Sequence, residues 1–327
     1  MKKLYQARVY QGTARNLDIL ARKLRAGEVV AVPTETVYGL AANAFDSKAC
    51  EKIFRAKRRP HHDPLIVHIH SLKELSGLCR SNAAADRLMR RFWPGPLTLI
   101  LPKTSRVPDL VTAGHASVGV RMPQHALFRR LLVRTGLPLA APSANPFGYI
   151  SPTSAEHVRA SLGRRIHYIL DGGESRIGLE STILDMRNPR RPRLLRPGAV
   201  TVSQLEAVLS CRILQARRAT ERASSQLAPG MLRRHYSPHT PVVLHRSMRP
   251  TSGKNQAYVF MSRPTGPHSK NVFWFDARGS LAGVARRLFA TLRWLDSQRF
   301  ATIHVQLASG GELAGAINDR LGRAAAR

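Results

Sequence analysis

Apolar residues recur along the first two-thirds of the chain in two alternating rhythms. Leu17, Leu20, Ala21 and Leu24 fall at helical spacing and predict an amphipathic helix, with Gly27 placed to stop it. Residues 29–32 then form a short apolar run that predicts a buried strand. Ser47 stands where it can cap a short helix carrying Ile53 and Phe54 on one face. Residues 65–69 predict a strand. Ala84, Leu88 and Phe92 predict a helix closed by Pro94-Gly95-Pro96. The apolar runs 97–101, 118–120, 139–141 and 168–170 are bounded by turn residues, as strands are, and 181–185 and 193–196 add two more.

The rhythm weakens after Leu209, and Ala223-Ser224-Ser225-Gln226 has the composition of a linker. The tail then has a pattern of its own. Residues 242–244, 257–260, 272–275 and 302–307 predict strands. Leu281, Val284, Ala285, Leu288, Phe289, Leu292 and Leu295 predict a strong helix between the last two, and a final helix is predicted near 314–324. Strands alternating with helices imply a small, mostly parallel sheet. The expected fold class is therefore α/β in two parts: a larger domain over 1–210, a linker over 211–240 and a smaller domain over 241–327. A length of 327 residues agrees with more than one domain.

Composition narrows the function. No run of about 18 apolar residues offers a membrane span. The basic start Met1-Lys2-Lys3-Leu4-Tyr5 is not followed by the apolar stretch of a secretory signal. Cys50, Cys79 and Cys211 are far apart and odd in number, so neither a disulfide framework nor a metal pattern is expected, and a cytoplasmic setting is. The formal net charge of +32 suits polyanionic partners such as nucleotides and RNA. An Arg- and Ala-rich composition of this kind is equally the mark of a GC-rich genome, so the placement of particular cations carries more than their sum.

Several segments place polar groups where a ligand could use them. Pro33-Thr34-Glu35-Thr36-Val37-Tyr38-Gly39-Leu40 follows a strand, where open α/β sheets carry ligand loops. Lys57-Arg58-Arg59-Pro60 puts three cations at a helix end. They are either a solvated face or a polyphosphate site, with lysine as a point charge and arginine as a fork. His68 lies in the apolar run Pro64-Leu65-Ile66-Val67-His68 and reads as a core histidine or a ligand contact. Ser117-Val118-Gly119-Val120-Arg121 ends a strand in a guanidinium, suited to a carboxylate or to a surface ion pair. Ala141-Pro142-Ser143-Ala144-Asn145 and Ser151-Pro152-Thr153 lead into a helix start. Their hydroxyl and amide groups suit phosphate or ribose oxygens, while Ser151 or Thr153 could equally be a simple cap. Gly178-Leu179-Glu180-Ser181-Thr182, Leu195-Arg196-Pro197-Gly198-Ala199 and Ala228-Pro229-Gly230-Met231 with His235-Tyr236-Ser237-Pro238 complete the set.

In this order the segments resemble the Sua5/YrdC/YciO family, in its longer two-domain form, over nearly the whole chain. The resemblance implies an N-terminal YrdC-like twisted open α/β sheet with a basic cleft, and a smaller C-terminal Rossmann-like α/β domain whose linker covers that cleft. It implies L-threonylcarbamoyladenylate synthase activity, a nucleotidyl transfer that joins ATP, L-threonine and bicarbonate ahead of threonylcarbamoyl modification of tRNA. Carried over by position, Thr34, His68, Arg121 and Ser181 would hold threonine, with Arg121 on its carboxylate. Lys57 and Arg59 would face the phosphates as the catalytic cations. His61, Ser117, Ser143, Asn145, Ser151 and Arg196 would line the nucleotide site, and Tyr236 would close over it. Mg²⁺ bound mainly through ATP phosphates is expected, with no protein metal site. The family often has Lys-Gly-Arg where this chain has Lys57-Arg58-Arg59, and Asn where it has Asp63. The net charge suits affinity for tRNA or double-stranded RNA, and the expected activity calls for a downstream threonylcarbamoyl transferase complex, with no membrane. The rival expectation is a basic RNA-binding module without catalysis, against which aromatic residues at only 6% count, because stacking platforms need them.

Overall fold

The computed structural model describes residues 6–215, 226–231, 235–250 and 255–326. The linker residues 223–225 and the basic stretch 232–234 therefore lie outside the described residues. The strands of the larger part are β1 Arg8–Gln11, β2 Val30–Val32, β3 Gly39–Asn43, β4 Ile66–His68, β5 Leu97–Pro102, β6 Ser117–Arg121, β7 Leu139–Ala140, β8 Tyr168–Asp171, β9 Thr182–Asp185, β10 Arg193–Arg196 and β11 Leu214–Gln215. They form one sheet in the order β1-β8-β2-β3-β7-β4-β6-β5-β9-β10-β11. Pairing is mixed: β2 runs antiparallel to β3, whereas β4 runs parallel to β6 with His68 opposite Arg121.

The helices of this part are α1 Ala14–Arg25, α2 Ser47–Lys57, α3 Ala83–Phe92, α4 Asp109–Thr112, α5 Ala126–Thr135, α6 Ala155–Leu162 and α7 Val202–Leu209. They cover both faces of the sheet. Leu17, Leu20 and Leu24 of α1 pack with Phe128, Leu131 and Leu132 of α5 in one apolar cluster, together with Val30 and Val32. Ala31 joins a second cluster with Ile53 and Phe54 of α2, Leu88 of α3 and Leu205 of α7. Alternate residues of β2 thus feed opposite faces, as the pleat requires.

Two capping expectations are corrected. Asp46 caps α2, its carboxylate accepting from the backbone of Lys48 at 2.9 Å and Ala49 at 3.1 Å, and Ser47 is the first helical residue. A carboxylate accepts more strongly than a hydroxyl and suits the positive end of the helix. Ser154 caps α6, so neither Ser151 nor Thr153 is spent on that role.

The smaller part has a four-stranded, wholly parallel sheet, as the alternating pattern implies. Its strands are β12 Val242–His245, β13 Gln256–Ser262, β14 Val272–Asp276 and β15 Thr302–Gln306, in the order β12-β15-β13-β14. Helices α8 Leu281–Ser297 and α9 Leu313–Ala325 pack on it. Their core takes in Val37, Ile150, Leu179 and Tyr236 from outside this sheet, so the two parts share buried apolar surface. Gly178 is a point of close approach between them. Its φ is +76°, and a Cβ there would meet the carbonyl oxygen of Ala285 at 2.4 Å.

Candidate active site

The segment Pro33–Tyr38 is a connection between antiparallel strands, not the start of a helix. Thr34 Oγ1 donates to the Val37 carbonyl at 2.7 Å and accepts from the backbone N–H groups of Thr36 at 3.1 Å and Val37 at 3.2 Å. The Thr34 and Thr36 hydroxyls are 2.7 Å apart. This self-bonded turn is also held from residues 175–178, where the Ser175 hydroxyl donates to the Thr34 carbonyl at 3.0 Å and the backbone N–H groups of Ile177 and Gly178 donate to the carbonyls of Glu35 at 2.8 Å and Thr36 at 3.1 Å, and it presents Glu35 and Thr36 to Arg121.

Arg121 ends β6 and is 3% exposed. It donates to Glu35 Oε1 at 2.6 Å, to Thr36 Oγ1 at 2.9 Å and to the Gly95 carbonyl at 3.1 Å. A guanidinium has further N–H groups to offer a ligand. Burial pushes the Glu35 carboxyl up, but Arg121 outweighs that and holds it below the ordinary carboxylate range. Beside Arg121, burial and then the guanidinium charge push His68 down to about 3, so its ring is neutral at pH 7. Its Nδ1 is buried and has no hydrogen-bond partner among the described residues. It is therefore not the satisfied core histidine that its apolar strand suggested.

The opposite wall comes from Ser181 and Arg196. Arg196 ends β10, is 4% exposed and donates to the Ser181 hydroxyl and carbonyl and to the Pro229 carbonyl, each at 3.1 Å. Thr98 shares a 2.7 Å hydrogen bond with the Ser181 hydroxyl. The segment holding Pro229 crosses the site because residue 230 is glycine. Its φ is +78°, and a Cβ would meet the Tyr236 hydroxyl at 2.7 Å.

The cations after α2 divide their work. Arg58 takes the left-handed position that ends the helix, with φ 54°, and is exposed. That is a conformation glycine adopts at less cost, which agrees with the Lys-Gly-Arg common in the resembling sequences. Turning the chain there sends Arg59 inward, where it is 6% exposed. Arg59 donates to the carbonyls of Asp63 at 2.9 Å and Pro64 at 2.7 Å and lies 2.9 Å from the Asp63 carboxylate. Lys57 is 1% exposed and donates to the carbonyls of Ser143 and Asn145, each at 2.5 Å. Burial and then Arg59 hold the Lys57 ammonium well below its ordinary range, against the pull of Asp63. Burial likewise holds the Asp63 carboxyl up, despite Arg59 and Lys57. So many cations beside so few carboxylates make a site that gains by taking up an anion.

Thr34, His68, Arg121, Ser181, Arg59, Ser143, Arg196 and Tyr236 line a single cavity of about 50 Å³. That is space on the order of a few waters. Residues 22–198 match the family model for Sua5, YciO and YrdC, described as telomere recombination, and residues 200–326 match that for the threonylcarbamoyl-AMP synthase C-terminal domain. The chain belongs to the Sua5/YciO/YrdC family. Within it, the chain is 39% identical over 323 residues to the threonylcarbamoyl-AMP synthase of Pyrococcus abyssi, covering 94% of this chain and 93% of that one. It is 35% identical over 347 residues to the synthase of the same name from Schizosaccharomyces pombe, covering 90% and 84%. Its structure resembles that of P. abyssi Sua5 in complex with L-threonine, with a TM-score of 0.88, 36% identity and 98% of each chain covered.

Five of the positions taken from the Sua5/YciO/YrdC pattern do not line this cavity. Lys57 and Asn145 sit directly behind it, joined by the bond already described. Ser151 is fully buried and donates to Glu180 Oε1 at 2.5 Å. Ser117 is at the far end of β6 from Arg121, with its hydroxyl buried and unpaired among the described residues. His61 is exposed and lies 3.0 Å from Glu51. Conversely, Glu180 and His235 line the cavity without having been singled out, although both stand in motifs that the sequence displays. Burial, then Arg59 and Lys57, hold His235 well below its ordinary range. Tyr236 is 1% exposed in a left-handed backbone conformation with φ 61°, and its hydroxyl has no partner among the described residues.

Proposed function

We propose that the chain is a threonylcarbamoyl-AMP synthase that forms its product and pyrophosphate from ATP, L-threonine and bicarbonate. The observation that carries this reading is one buried cavity in which Arg59, Arg121 and Arg196 meet the neutral His68 and the hydroxyls of Thr34, Ser143 and Ser181. In the reaction, the threonine nitrogen adds to CO₂ derived from bicarbonate and loses a proton, giving a carbamate. A carbamate oxygen attacks the α-phosphorus of ATP. The bond to the bridging oxygen breaks, and pyrophosphate leaves with that electron pair.

No protein nucleophile is needed, so the residues act by position and charge. Arg121 binds the threonine carboxylate with its remaining N–H groups, while Thr34, His68 and Ser181 orient the rest of the amino acid. A neutral His68 accepts or donates a hydrogen bond without adding charge beside Arg121. Arg59 faces the phosphates with Lys57 behind it, Ser143 and Arg196 line the nucleotide side, Asn145 and Ser151 back that wall, and His61 and Ser117 lie outside the cavity, where only a nucleotide extending past it would meet them. Tyr236, from the proposed linker 211–240 between domains 1–210 and 241–327, closes over the nucleotide and keeps water from a labile product.

Mg²⁺ would enter with ATP. Glu35, Asp63 and Glu180 each have an arginine within 2.9 Å. Carboxylates so committed fit an ion held by phosphates and water, whose positive charge would offset that of the leaving pyrophosphate. The product would pass to a separate transferase complex acting on tRNA at position 37. Affinity for tRNA or double-stranded RNA is favoured by the net charge. Among the described residues no helix is long and apolar enough to cross a membrane. The free cysteines agree with a cytoplasmic setting.

The test is pyrophosphate release from ATP with threonine and bicarbonate omitted in turn. Release that requires all three substrates is expected. Release without threonine would point to another acceptor. Salt-sensitive RNA binding without any release would favour the binding module.

A further inference from the structure

Two buried arginines of the smaller domain reach the wall of the cavity. Arg320 of α9 is 1% exposed, and its Nε donates to Glu180 Oε2 at 2.8 Å. Its Nη2 donates to the Pro197 carbonyl at 2.9 Å, and its guanidinium carbon lies 5.4 Å from the centre of the Tyr236 ring. Glu180 spends its other oxygen on the Ser151 hydroxyl at 2.5 Å. Ser151 is held a second time, from α8, where Arg293 donates to the carbonyls of Ile150 and Ser151. Three catalytic-domain segments, 150–151, 180 and 197, are thus gripped from the other domain through guanidinium groups.

Glu180 is the decisive member, because a carboxylate lining a cavity for a polyanion works against binding. Left unpaired in a buried site, it would repel the phosphates and release Ser151. Arg320 prevents both, by neutralising the charge and by fixing the carboxylate's orientation. We infer that Arg320 is a positioning residue for the nucleotide site, acting through Glu180 and Ser151, so that the smaller domain sets ATP affinity from behind the cavity wall. This rests on the synthase reading above.

The test is steady-state pyrophosphate release by the full chain, with ATP varied and threonine and bicarbonate saturating, alongside thermal unfolding. Arg320→Met is expected to raise the KM for ATP by about 10- to 100-fold, since it leaves one partner of a buried ion pair uncompensated. The KM for threonine, which carries less negative charge, rises less. Arg320 Nη1 also donates to Asp319 at 2.8 Å, but Asp319 keeps Arg323 at 3.0 Å, so adding Glu180→Gln to Arg320→Met removes the charge orphaned at the cavity wall and should recover more than half of the loss on a logarithmic scale. A purely structural role predicts that the double variant recovers thermal stability while the KM for ATP never moves more than that for threonine in either variant. Arg320→Lys, which keeps the charge, should stay within about tenfold of the parent on the same ion-pair argument. An unchanged ATP KM in Arg320→Met, or a double variant no better than the single, overturns the inference. If Arg320→Met does not fold, Arg320→Lys and the double variant carry the test, and an ATP KM raised more than about 10-fold in either overturns it. A parent chain that releases no pyrophosphate would instead defeat the synthase reading itself.

Discussion

The side of the cavity proposed to hold threonine and the side proposed to hold the nucleotide are built differently. His68 and Arg121 close adjacent parallel strands in register, Ser181 immediately precedes β9, and Thr34 lies two residues past β2. All four sit at strand ends of one sheet, and all four line the cavity. The nucleotide side is assembled from the end of α2, the loop after β7, the end of β10 and a segment packed in the smaller domain's core. Of its proposed residues only Arg59, Ser143, Arg196 and Tyr236 line the cavity, and Pro229, Gly230, His235 and Tyr236 fill much of that side. A hydrogen-bonded sheet fixes its strand ends to one another whether or not a ligand is present, whereas loops and a crossing segment have no such register to hold them. The proposed threonine side is accordingly preformed, and the proposed nucleotide side depends on how the second domain sits.

The contrast can be broken most decisively at Lys57. Lys57→Met keeps the length of the side chain while removing its charge and its bonds to two loop carbonyls. A fall in kcat/KM for ATP of about 100- to 1,000-fold is expected, on the scale of losing one preorganised donor. Near-normal pyrophosphate release with an intact circular dichroism spectrum would remove Lys57 from the phosphate role.

A smaller effect is expected at the other side. Arg121→Ala should raise the KM for threonine by about 30-fold or more, the scale of truncating one partner of a buried charge pair. Adding Glu35→Gln should restore stability without restoring threonine affinity, because the carboxylate left behind is the structural cost and the guanidinium is the binding group. An unchanged threonine KM in Arg121→Ala would erase the distinction between the two sides.

The smallest expected effect is a pH dependence of stability that marks His68 as buried and neutral. Its pKa is about 3 in the folded chain, against about 6.5 when exposed. The unfolded chain therefore binds the extra proton first, and stability falls as pH drops through 6.5 toward 3. Between pH 6.5 and 5 the loss from this residue is about 2 kcal/mol, at 1.36 kcal/mol per pH unit. His157, held down to about 4 by burial and by Arg293, adds in the same direction. Thermal melts at pH 7 and pH 5 should diverge less in His68→Gln than in the parent. Equal divergence would mean that His68 is accessible to protons in the folded chain.

Much of this architecture is written in local sequence. The helical spacing of Leu17, Leu20 and Leu24, the tail's alternation of strands and helix, and the apolar run before His68 all recur as elements with nearly the expected limits. Such patterns are legible because each element must bury a face of fixed period. The β3 strand, Gly39–Asn43, was missed because it is built largely of small residues and follows a loop without alternation. The motifs also displayed the polar residues of the site, through their order along the chain.

Which of those residues face one another was decided only by the tertiary structure. Nothing near Arg121 in sequence announces Glu35, 86 positions away, and nothing near Glu180 announces Arg320, 140 positions away. Arg58 and Arg59 are identical in composition, yet the left-handed turn at Arg58 sends one to solvent and the other into the core. Charge pairing and burial depend on neighbours brought together by packing, and a side chain's role in an anion site is set by those neighbours. The sequence by itself therefore determined the elements and the chemical inventory, and the packing of two domains decided which cations are neutralised and which are left for a substrate.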